Sequence, residues 1–126
     1  LFRSTEIRVT MAGARELYPN RKLIVVTQTH TYSRTTELFA DFATAYAKAD
    51  RVYLLPIYAA REENTSGVTS EQLAAAILEQ GTVAVVMQTA AGITEAVRES
   101  LSESEPAVVL IMGAGDVTAV ATLLTK

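Results

Sequence analysis

The residues with the most chemistry to offer lie together in one octet, Gln28-Thr-His-Thr-Tyr-Ser-Arg-Thr35. It contains the single histidine of the chain, His30, and Arg34 follows four residues later. A guanidinium keeps its charge at all ordinary pH values, and its planar fork suits a carboxylate or a phosphate. His30 is either a donor that faces a ligand or a loop residue bonded to backbone. The octet therefore predicts a ligand-binding loop, with a surface ion pair of Arg34 to Glu37 or Glu6 as the alternative.

A glycine-rich turn near the other end of the chain, Gly113-Ala114-Gly115, is the second candidate site. Glycines let a backbone approach a ligand closely, and a helix that begins after them presents amide groups to an anion. The turn lacks the third glycine of a dinucleotide-binding fingerprint, so a Rossmann cofactor site is rejected. Asp116, which follows the turn, is predicted to be the N-cap of the last helix.

The third candidate segment contains Tyr58, Ala59 and Arg61, which follow a predicted strand. Because ligands of open α/β sheets bind outside the carboxyl ends of the strands, we expect this segment to meet the octet and the glycine-rich turn on one rim. The alternative for Arg61 is a solvated charge cluster with Glu62 and Glu63. The three segments together predict one pocket.

The hydrophobic pattern predicts which elements position these residues. Apolar side chains three and four residues apart indicate helices, and short β-branched runs indicate strands buried on both faces. Thr69-Ser-Glu-Gln72 has the spacing of a capping box, and Gly81 fits the helix exit. The predicted elements are a helix over 5–18, a strand over 22–28, a helix over 36–49, a strand over 51–57, a helix over 70–80, a strand over 82–87, a helix over 89–104, a strand over 107–112 and a last helix that reaches 126.

Strict alternation of helices and strands predicts an α/β fold: a doubly wound, mostly parallel sheet with helices on both faces. Pro56 suggests that the second strand ends at an edge or leaves the ladder there. At 126 residues the chain is expected to form a single domain, 1–126.

The charge pattern excludes two classes of partner. The chain has 11 basic and 14 acidic residues and no basic run, which argues against nucleic acid and against an anionic membrane surface. No apolar run approaches the length of about 20 residues that a membrane span needs. The absence of cysteine excludes a disulfide framework.

Four segments together resemble the Mur ligase family. The octet is similar to the Gln-Pro-His-x-[Tyr/Phe]-[Ser/Thr]-Arg-Thr signature that opens the third domain of these ligases, in the branch that joins L-alanine to UDP-N-acetylmuramate. Thr5-Glu-Ile7, Ile57-Tyr-Ala-Ala-Arg-Glu-Glu63 and Met112-Gly-Ala-Gly-Asp116 agree in order and spacing. The chain departs from the family at Thr29, where a proline is usual, and at Leu1-Phe-Arg-Ser4, where an acidic-Tyr-x-His-His-Pro segment is usual.

The resemblance implies a Rossmann-like, amino-acid-binding C-terminal domain of a larger three-domain ligase of peptidoglycan biosynthesis. It implies L-alanine, UDP-N-acetylmuramate and ATP as ligands of the intact enzyme, in the cytoplasm. ATP and Mg²⁺ would be bound mainly by the N-terminal and central domains, because no Gly-x-x-x-x-Gly-Lys-[Ser/Thr] loop occurs here. We therefore expect no catalytic residue, metal ligand or cofactor in this domain, and no activity of the domain alone.

The same resemblance implies roles for individual residues. Arg34 would hold the carboxylate of the incoming amino acid, with His30 as a nearby polar donor. Two alternatives stay open: a ligase of the same superfamily that adds another amino acid or a peptide, and a non-catalytic α/β domain that binds a small ligand or a partner. The implied substrate-binding residues are His30, Arg34, Tyr58, Ala59, Arg61, Gly113, Ala114, Gly115 and Asp116.

Overall fold

The chain folds around a sheet of four strands, seen in a computed structural model that describes residues 4–101, 106–113 and 115–125. Every neighbouring pair of strands is parallel. The predicted α/β class with a mostly parallel sheet is therefore confirmed. The strands are β1 (Lys22–Thr27), β2 (Arg51–Leu54), β3 (Val83–Val86) and β4 (Ala107–Met112), and their order across the sheet is β3-β2-β1-β4.

Helices connect the strands and cover both faces of the sheet, as predicted. They are α1 (Ser4–Leu17), α2 (Tyr32–Glu37), α3 (Phe39–Ala45), α4 (Ser70–Glu79), α5 (Ala90–Ser100) and α6 (Thr118–Leu124), with a 3₁₀ turn at Gly115–Val117. α1, α3 and α4 pack on one face, and α5 and α6 pack on the other.

Strand β1 lies at the centre of the core because successive side chains of a strand point to opposite faces. Leu23 and Val25 belong to the apolar cluster under α1, α3 and α4, whereas Ile24 and Val26 belong to the cluster under α5 and α6. All four side chains are at most 2% exposed. The continuous apolar run of β1 follows from this burial on both faces.

The helix predicted over residues 36–49 is wrong in its bounds. The structure begins α2 at Tyr32, inside the octet, and breaks the helix at Leu38, where φ is −108° and ψ is 18°. A run of Ser, Thr and Tyr has modest helix propensity and favours a loop. Here, however, Thr31 Oγ1 accepts a hydrogen bond from the Arg34 N–H at 3.2 Å. This side-chain cap starts the helix early because it satisfies an amide that would otherwise lack a partner.

Two local predictions about chain breaks are confirmed. β2 ends at Leu54, short of the predicted residue 57, and Pro56 lies outside the strand because it has no N–H for the ladder. The capping box at the start of α4 is complete: Thr69 accepts from the Gln72 N–H, and the Gln72 side chain accepts from the Thr69 N–H. Both features are local, which is why the pattern of residue types reveals them.

The ends of two predicted helices fall on residues that the structure does not describe. α5 ends at Ser100, and Leu101 after it has an extended backbone, so the helix predicted over 89–104 ends earlier than expected; residues 102–104 lie outside the described residues. The last helix ends at Leu124, and Lys126 lies outside as well. Within the described ranges, no helix is long and apolar enough to span a membrane.

Candidate functional site

Two loops meet at the carboxyl ends of β1 and β2. The loop after β1 carries His30, the loop after β2 carries Tyr58, and these residues form a parallel bridge. The Thr31 N–H donates to the Tyr58 carbonyl at 2.7 Å, and the Tyr58 N–H donates to the Thr29 carbonyl at 3.0 Å. The two rings stack with their centroids 5.4 Å apart. The pairing of β1 with β2 thus continues into the loops and fixes the His30 and Tyr58 side chains against each other.

The glycine-rich turn after β4 packs against both loops. Gly113 has a φ of +126°, and a Cβ there would lie 2.7 Å from the Gln28 carbonyl oxygen. Gly115 has a φ of +83°, and a Cβ there would lie 2.8 Å from Cδ2 of Tyr58. Only glycine fits both the conformation and the space at these positions. The structure therefore brings the three predicted segments to one rim, and their roles in binding stay predictions.

A cleft of about 470 Å³ opens at this rim, between the loop after β2, the start of α5 and the last helix. Its wall is mostly apolar, and its polar groups are amides, one threonine hydroxyl, the tyrosine hydroxyl and one carboxylate. Three of the predicted site residues, Tyr58, Ala59 and Asp116, line it. The lining residues are Gln28, Leu55, Pro56, Ile57, Tyr58, Ala59, Gln88, Thr89, Ala90, Asp116 and Ala119.

Other predicted site residues lie beside the cleft rather than in its wall. His30 and Gly115 pack against the Tyr58 ring and so lie behind a lining residue. Arg61 is exposed in the turn after β2, with a φ of +75°. Ala114 lies outside the described residues. Some of the predicted site residues thus line the cleft, and others only pack against residues that line it.

The side chain of Arg34 is half-buried on α2. Among the residues that the structure describes, its guanidinium makes no hydrogen bond, and the ion pair found there joins Arg15 to Asp50 instead. The alternative prediction, a surface ion pair of Arg34 with Glu37 or Glu6, is therefore wrong. Arg34 also does not line the cleft.

The prediction that Asp116 caps the last helix is wrong. Asp116 is exposed within the 3₁₀ turn, and α6 begins at Thr118 with Val117 as an N-cap that lacks a capping side chain. The 3₁₀ turn carries the chain past Asp116 before α6 starts, so its carboxylate faces the cleft instead. The buried Val117 N–H donates to Gln28 Oε1 at 3.1 Å. The amide of Gln28 thus binds an N–H at the start of the last helix, which itself has no capping side chain.

Gln28 is the residue that sequence reasoning missed as part of the site. Its side chain is only 5% exposed, and its Nε2 donates to the Pro56 carbonyl at 3.0 Å. The available signal was an amide that directly follows a strand buried on both faces. A buried amide must bond to fixed partners, so this position predicts a link between loops.

Glu62 was interpreted as part of a solvated charge cluster, but it bonds to the octet. Its carboxylate accepts from the Ser33 N–H at 3.0 Å and from the Ser33 hydroxyl at 2.5 Å. The hydroxyl bond, followed by the backbone bond, lowers the pKa of Glu62 below its usual value. Nearby, the Thr36 and Ser66 hydroxyls lie 2.9 Å apart. The long loop after β2 is therefore tied to α2 at several points.

Thr31 is held in an unusual backbone conformation, with φ of 60° and ψ of 150°. A positive φ is uncommon for a β-branched residue and persists only where the surroundings hold it. Here the Thr31 N–H is bound to Tyr58, and its carbonyl accepts from Thr35 Oγ1 at 2.7 Å. Backbone strain thus coincides with the rim at which the loops meet.

Comparison with known proteins identifies the family of this chain. Residues 3–115 match the family model described as Mur ligase, glutamate ligase domain. The chain belongs to the Mur ligase family. Its relatives include the UDP-N-acetylmuramate–L-alanine ligase of Acidithiobacillus ferrooxidans, 41% identical over 116 residues, which are 92% of this chain and 25% of that protein. The enzyme of the same name from Anaeromyxobacter dehalogenans is 42% identical over 114 residues, 90% of this chain and 24% of that protein.

A solved structure has the same fold. The crystal structure of the UDP-N-acetylmuramate-alanine ligase MurC of Thermotoga maritima matches with a TM-score of 0.72 and 24% sequence identity, over 99% of this chain and 24% of that chain. The chain thus spans about a quarter of the length of the relatives that it matches.

ATP and Mg²⁺, which the family resemblance implies, have no fitting site among these residues. No group of three or more His, Cys, Asp and Glu side chains in the described part of the chain could hold a metal ion. The sequence also contains no phosphate-binding loop of the Gly-x-x-x-x-Gly-Lys-[Ser/Thr] type.

Proposed function

We propose that this chain is the amino-acid-binding C-terminal domain of a three-domain, ATP-dependent ligase that joins L-alanine to UDP-N-acetylmuramate in peptidoglycan biosynthesis. Its part in the reaction is to bind L-alanine and to orient the amine toward the activated carboxylate of the sugar nucleotide. ATP, Mg²⁺ and the sugar nucleotide are assigned mainly to domains outside this chain. Holding the amine in a near-attack position contributes to the rate because the reactants no longer need to find each other in solution.

The observation that carries this proposal is the convergence of three loops on one cleft. The loop after β1 contains the octet, the loop after β2 contains Tyr58, and the turn after β4 contains Gly115, whose missing Cβ makes room for the Tyr58 ring. These are the segments on which the family resemblance rests. Substrates of open α/β sheets bind at this edge of the sheet. The relatives named as L-alanine ligases supply the substrate class.

Arg34 is the residue proposed to hold the carboxylate of L-alanine. Its guanidinium is half-buried, permanently charged and without a partner among the described residues. A carboxylate ligand would give it two parallel charge-assisted hydrogen bonds. His30 is proposed as a nearby donor, because the stacked Tyr58 ring holds its imidazole in place.

The test uses the longer ligase that contains this chain. Purified protein with UDP-N-acetylmuramate, ATP and Mg²⁺ is expected to form ADP and an amide product with L-alanine, at a higher kcat/KM than with glycine, L-serine or a dipeptide. The 126-residue chain alone is expected to show no ATP turnover with the same mixture. Selective use of a dipeptide would instead identify a peptide ligase, and no amide product with any of them would indicate a binding domain without this activity.

A further inference from the structure

We infer that Gln28 is a positioning residue whose side-chain amide fixes the two walls of the cleft at their working separation, an inference that rests on the function proposed above. Its amide bonds in two directions, to the carbonyl of Pro56 through Nε2 and to the N–H of Val117 through Oε1. One planar group therefore joins the loop after β2 to the start of the last helix.

One partner of the amide, Pro56, lines the cleft itself, and the other, Val117, directly follows a lining residue. Tyr58 follows Pro56 by two residues, and Asp116 directly precedes Val117. A change in the length or orientation of the bridge must therefore move both walls. Gln28 itself contributes to the cleft wall, but its side chain is 5% exposed and both ends of its amide already have protein partners. Its effect on a ligand is consequently exerted through the two walls.

Nothing else in the described residues replaces the bridge at the Val117 end. α6 has no capping side chain of its own, and Asp116, one residue earlier, is exposed. The first N–H groups of a helix have no partner within the helix and need one from elsewhere. The Val117 N–H is buried, so loss of its acceptor leaves a buried donor without a partner.

The base of the bridge is rigid. Gln28 follows β1 directly, its N–H points to the Met112 carbonyl at 3.4 Å, and its own carbonyl lies where Gly113 lacks a Cβ. β1 is buried between two neighbours, so the Gln28 backbone cannot follow a shift of either wall. The amide therefore holds both walls of the cleft at fixed positions relative to the sheet, as a supporting group does for a preorganised site.

The decisive variant is Gln28→Glu in the longer ligase. A protonated carboxyl has one O–H donor for Pro56 and one acceptor for Val117, so it reproduces both bonds, whereas a carboxylate loses the donor and faces the Pro56 carbonyl with negative charge. Burial raises the pKa of such a carboxyl, which brings its ionisation toward the range of the assay. His30, Tyr58 and Asp116 also lie near the site, so each profile is expressed relative to the unsubstituted protein at the same pH.

The expected result is a pH-dependent rise in the KM for L-alanine without an equal rise in the KM for ATP. At pH 6 the KM for L-alanine of Gln28→Glu stays within about twofold of the unsubstituted protein, and by pH 9 it rises about tenfold or more, while the KM for ATP changes little. Gln28→Leu, which has neither bond at any pH, shows the raised KM throughout. Gln80→Glu is the matched control, since Gln80 is exposed at the end of α4, and its profile stays that of the unsubstituted protein.

A second readout does not depend on the proposed activity. Hydrogen exchange of the Val117 amide and of the loop around Tyr58 is expected to quicken in Gln28→Glu as pH rises, beyond the intrinsic pH effect seen in Gln80→Glu. If the unsubstituted ligase does not use L-alanine but exchange responds in this way, the bridge stands and the proposed substrate is wrong. A pH-independent Gln28→Glu profile in exchange and kinetics, or loss of its fold even at pH 6, overturns the inference.

Discussion

The arginines at the two ends of the sheet, Arg15 and Arg34, differ in how many hydrogen bonds their guanidinium groups make. At the amino ends of the strands, Arg15 donates to the Lys48 carbonyl from Nε and Nη2 at 3.0 and 2.7 Å, and to the Arg21 carbonyl from Nη1 at 3.0 Å. Its Nη2 also lies 2.8 Å from Asp50 Oδ2. The same carboxylate oxygen accepts from the Leu23 N–H at 2.7 Å. All three nitrogens of this guanidinium therefore have fixed protein partners.

The carboxyl ends of the strands are built differently. The guanidinium of Arg34, on α2, has no such partners among the described residues. The non-glycine residues with positive φ in the described part of the chain, Thr31, Ala60 and Arg61, all lie in the loops at this end. One end of the sheet therefore has an arginine neutralised by fixed groups, and the other has an arginine without a partner among the described residues and a strained backbone.

The largest effect is expected for Gly113→Ala at the strained end. A Cβ at Gly113 would lie 2.7 Å from the Gln28 carbonyl oxygen, at a φ that L residues rarely adopt. The free energy of unfolding should fall by about 2 to 4 kcal/mol, because strain and a backbone clash add. Urea denaturation measures it. In the control Gly13→Ala, where the helical position has open space, stability should rise by about 0.5 to 1 kcal/mol, and equal effects of the two would contradict the comparison.

Removal of the Arg34 charge is expected to affect the reaction rather than the stability of the fold. In the longer ligase, Arg34→Ala should lower kcat/KM for L-alanine on the order of ten- to a hundredfold, because charge-assisted hydrogen bonds are worth about 1.5 to 3 kcal/mol. The KM for ATP should move much less. Steady-state kinetics with each substrate varied separately measures this, with Arg21→Ala at the opposite end as the control. Unchanged alanine kinetics would leave Arg34 with a structural role only.

Removal of the Arg15 side chain should instead affect stability and leave the reaction unchanged. Arg15→Ala should lower the free energy of unfolding by about 1 to 2 kcal/mol, since the Lys48 and Arg21 carbonyls lose their donor and Asp50 loses its ion pair. Alanine kinetics should stay unchanged. Arg15→Ala and Arg34→Ala are compared in one denaturation series and one kinetic series. If both variants change mainly stability, or both change mainly the alanine kinetics, the two ends do not differ in this way.

Acid should weaken the amino end by a small amount. Partial desolvation raises the pKa of Asp50, but the hydrogen bonds from the Leu23 N–H and Arg15 outweigh it and hold the pKa below its usual value. The stabilisation is therefore present above about pH 4 and is lost as pH falls through the folded-state pKa. Solvent screening keeps it below about 1 kcal/mol. Urea midpoints from pH 6 to pH 2 should fall less steeply for Asp50→Asn, with a residual slope to which Glu62 contributes.

Much of the fold could be predicted because its causes are local. The apolar run of β1 predicts a strand buried on both faces, and the residues from Thr69 to Gln72 predict a helix start. Each prediction needs only a few consecutive residues. The meeting of the three loops on one rim follows from parallel strands alone. These inferences need no knowledge of which side chain contacts which.

What could not be predicted depends on contacts between distant segments. α2 starts inside the octet with Thr31 as its N-cap, and the bond from the Thr31 N–H to the Tyr58 carbonyl holds that residue in place. The Val117 N–H, before the last helix, donates to Gln28, 89 residues away, and a 3₁₀ turn includes Asp116 ahead of the helix; the residue types around Asp116 predict neither feature. In both cases a long-range hydrogen bond overrides the local preference of the residue types.

During synthesis β1 leaves the ribosome long before its partner β4. Lys22 of β1 is paired with Ala107 of β4, so the chain must close a loop of most of its length before this side of β1 is hydrogen-bonded. Until then the buried strand β1 has an open edge, which can pair with another chain. Delayed arrival of residues 107–112, through slow translation or truncation, is therefore the point at which newly made protein is most exposed to aggregation.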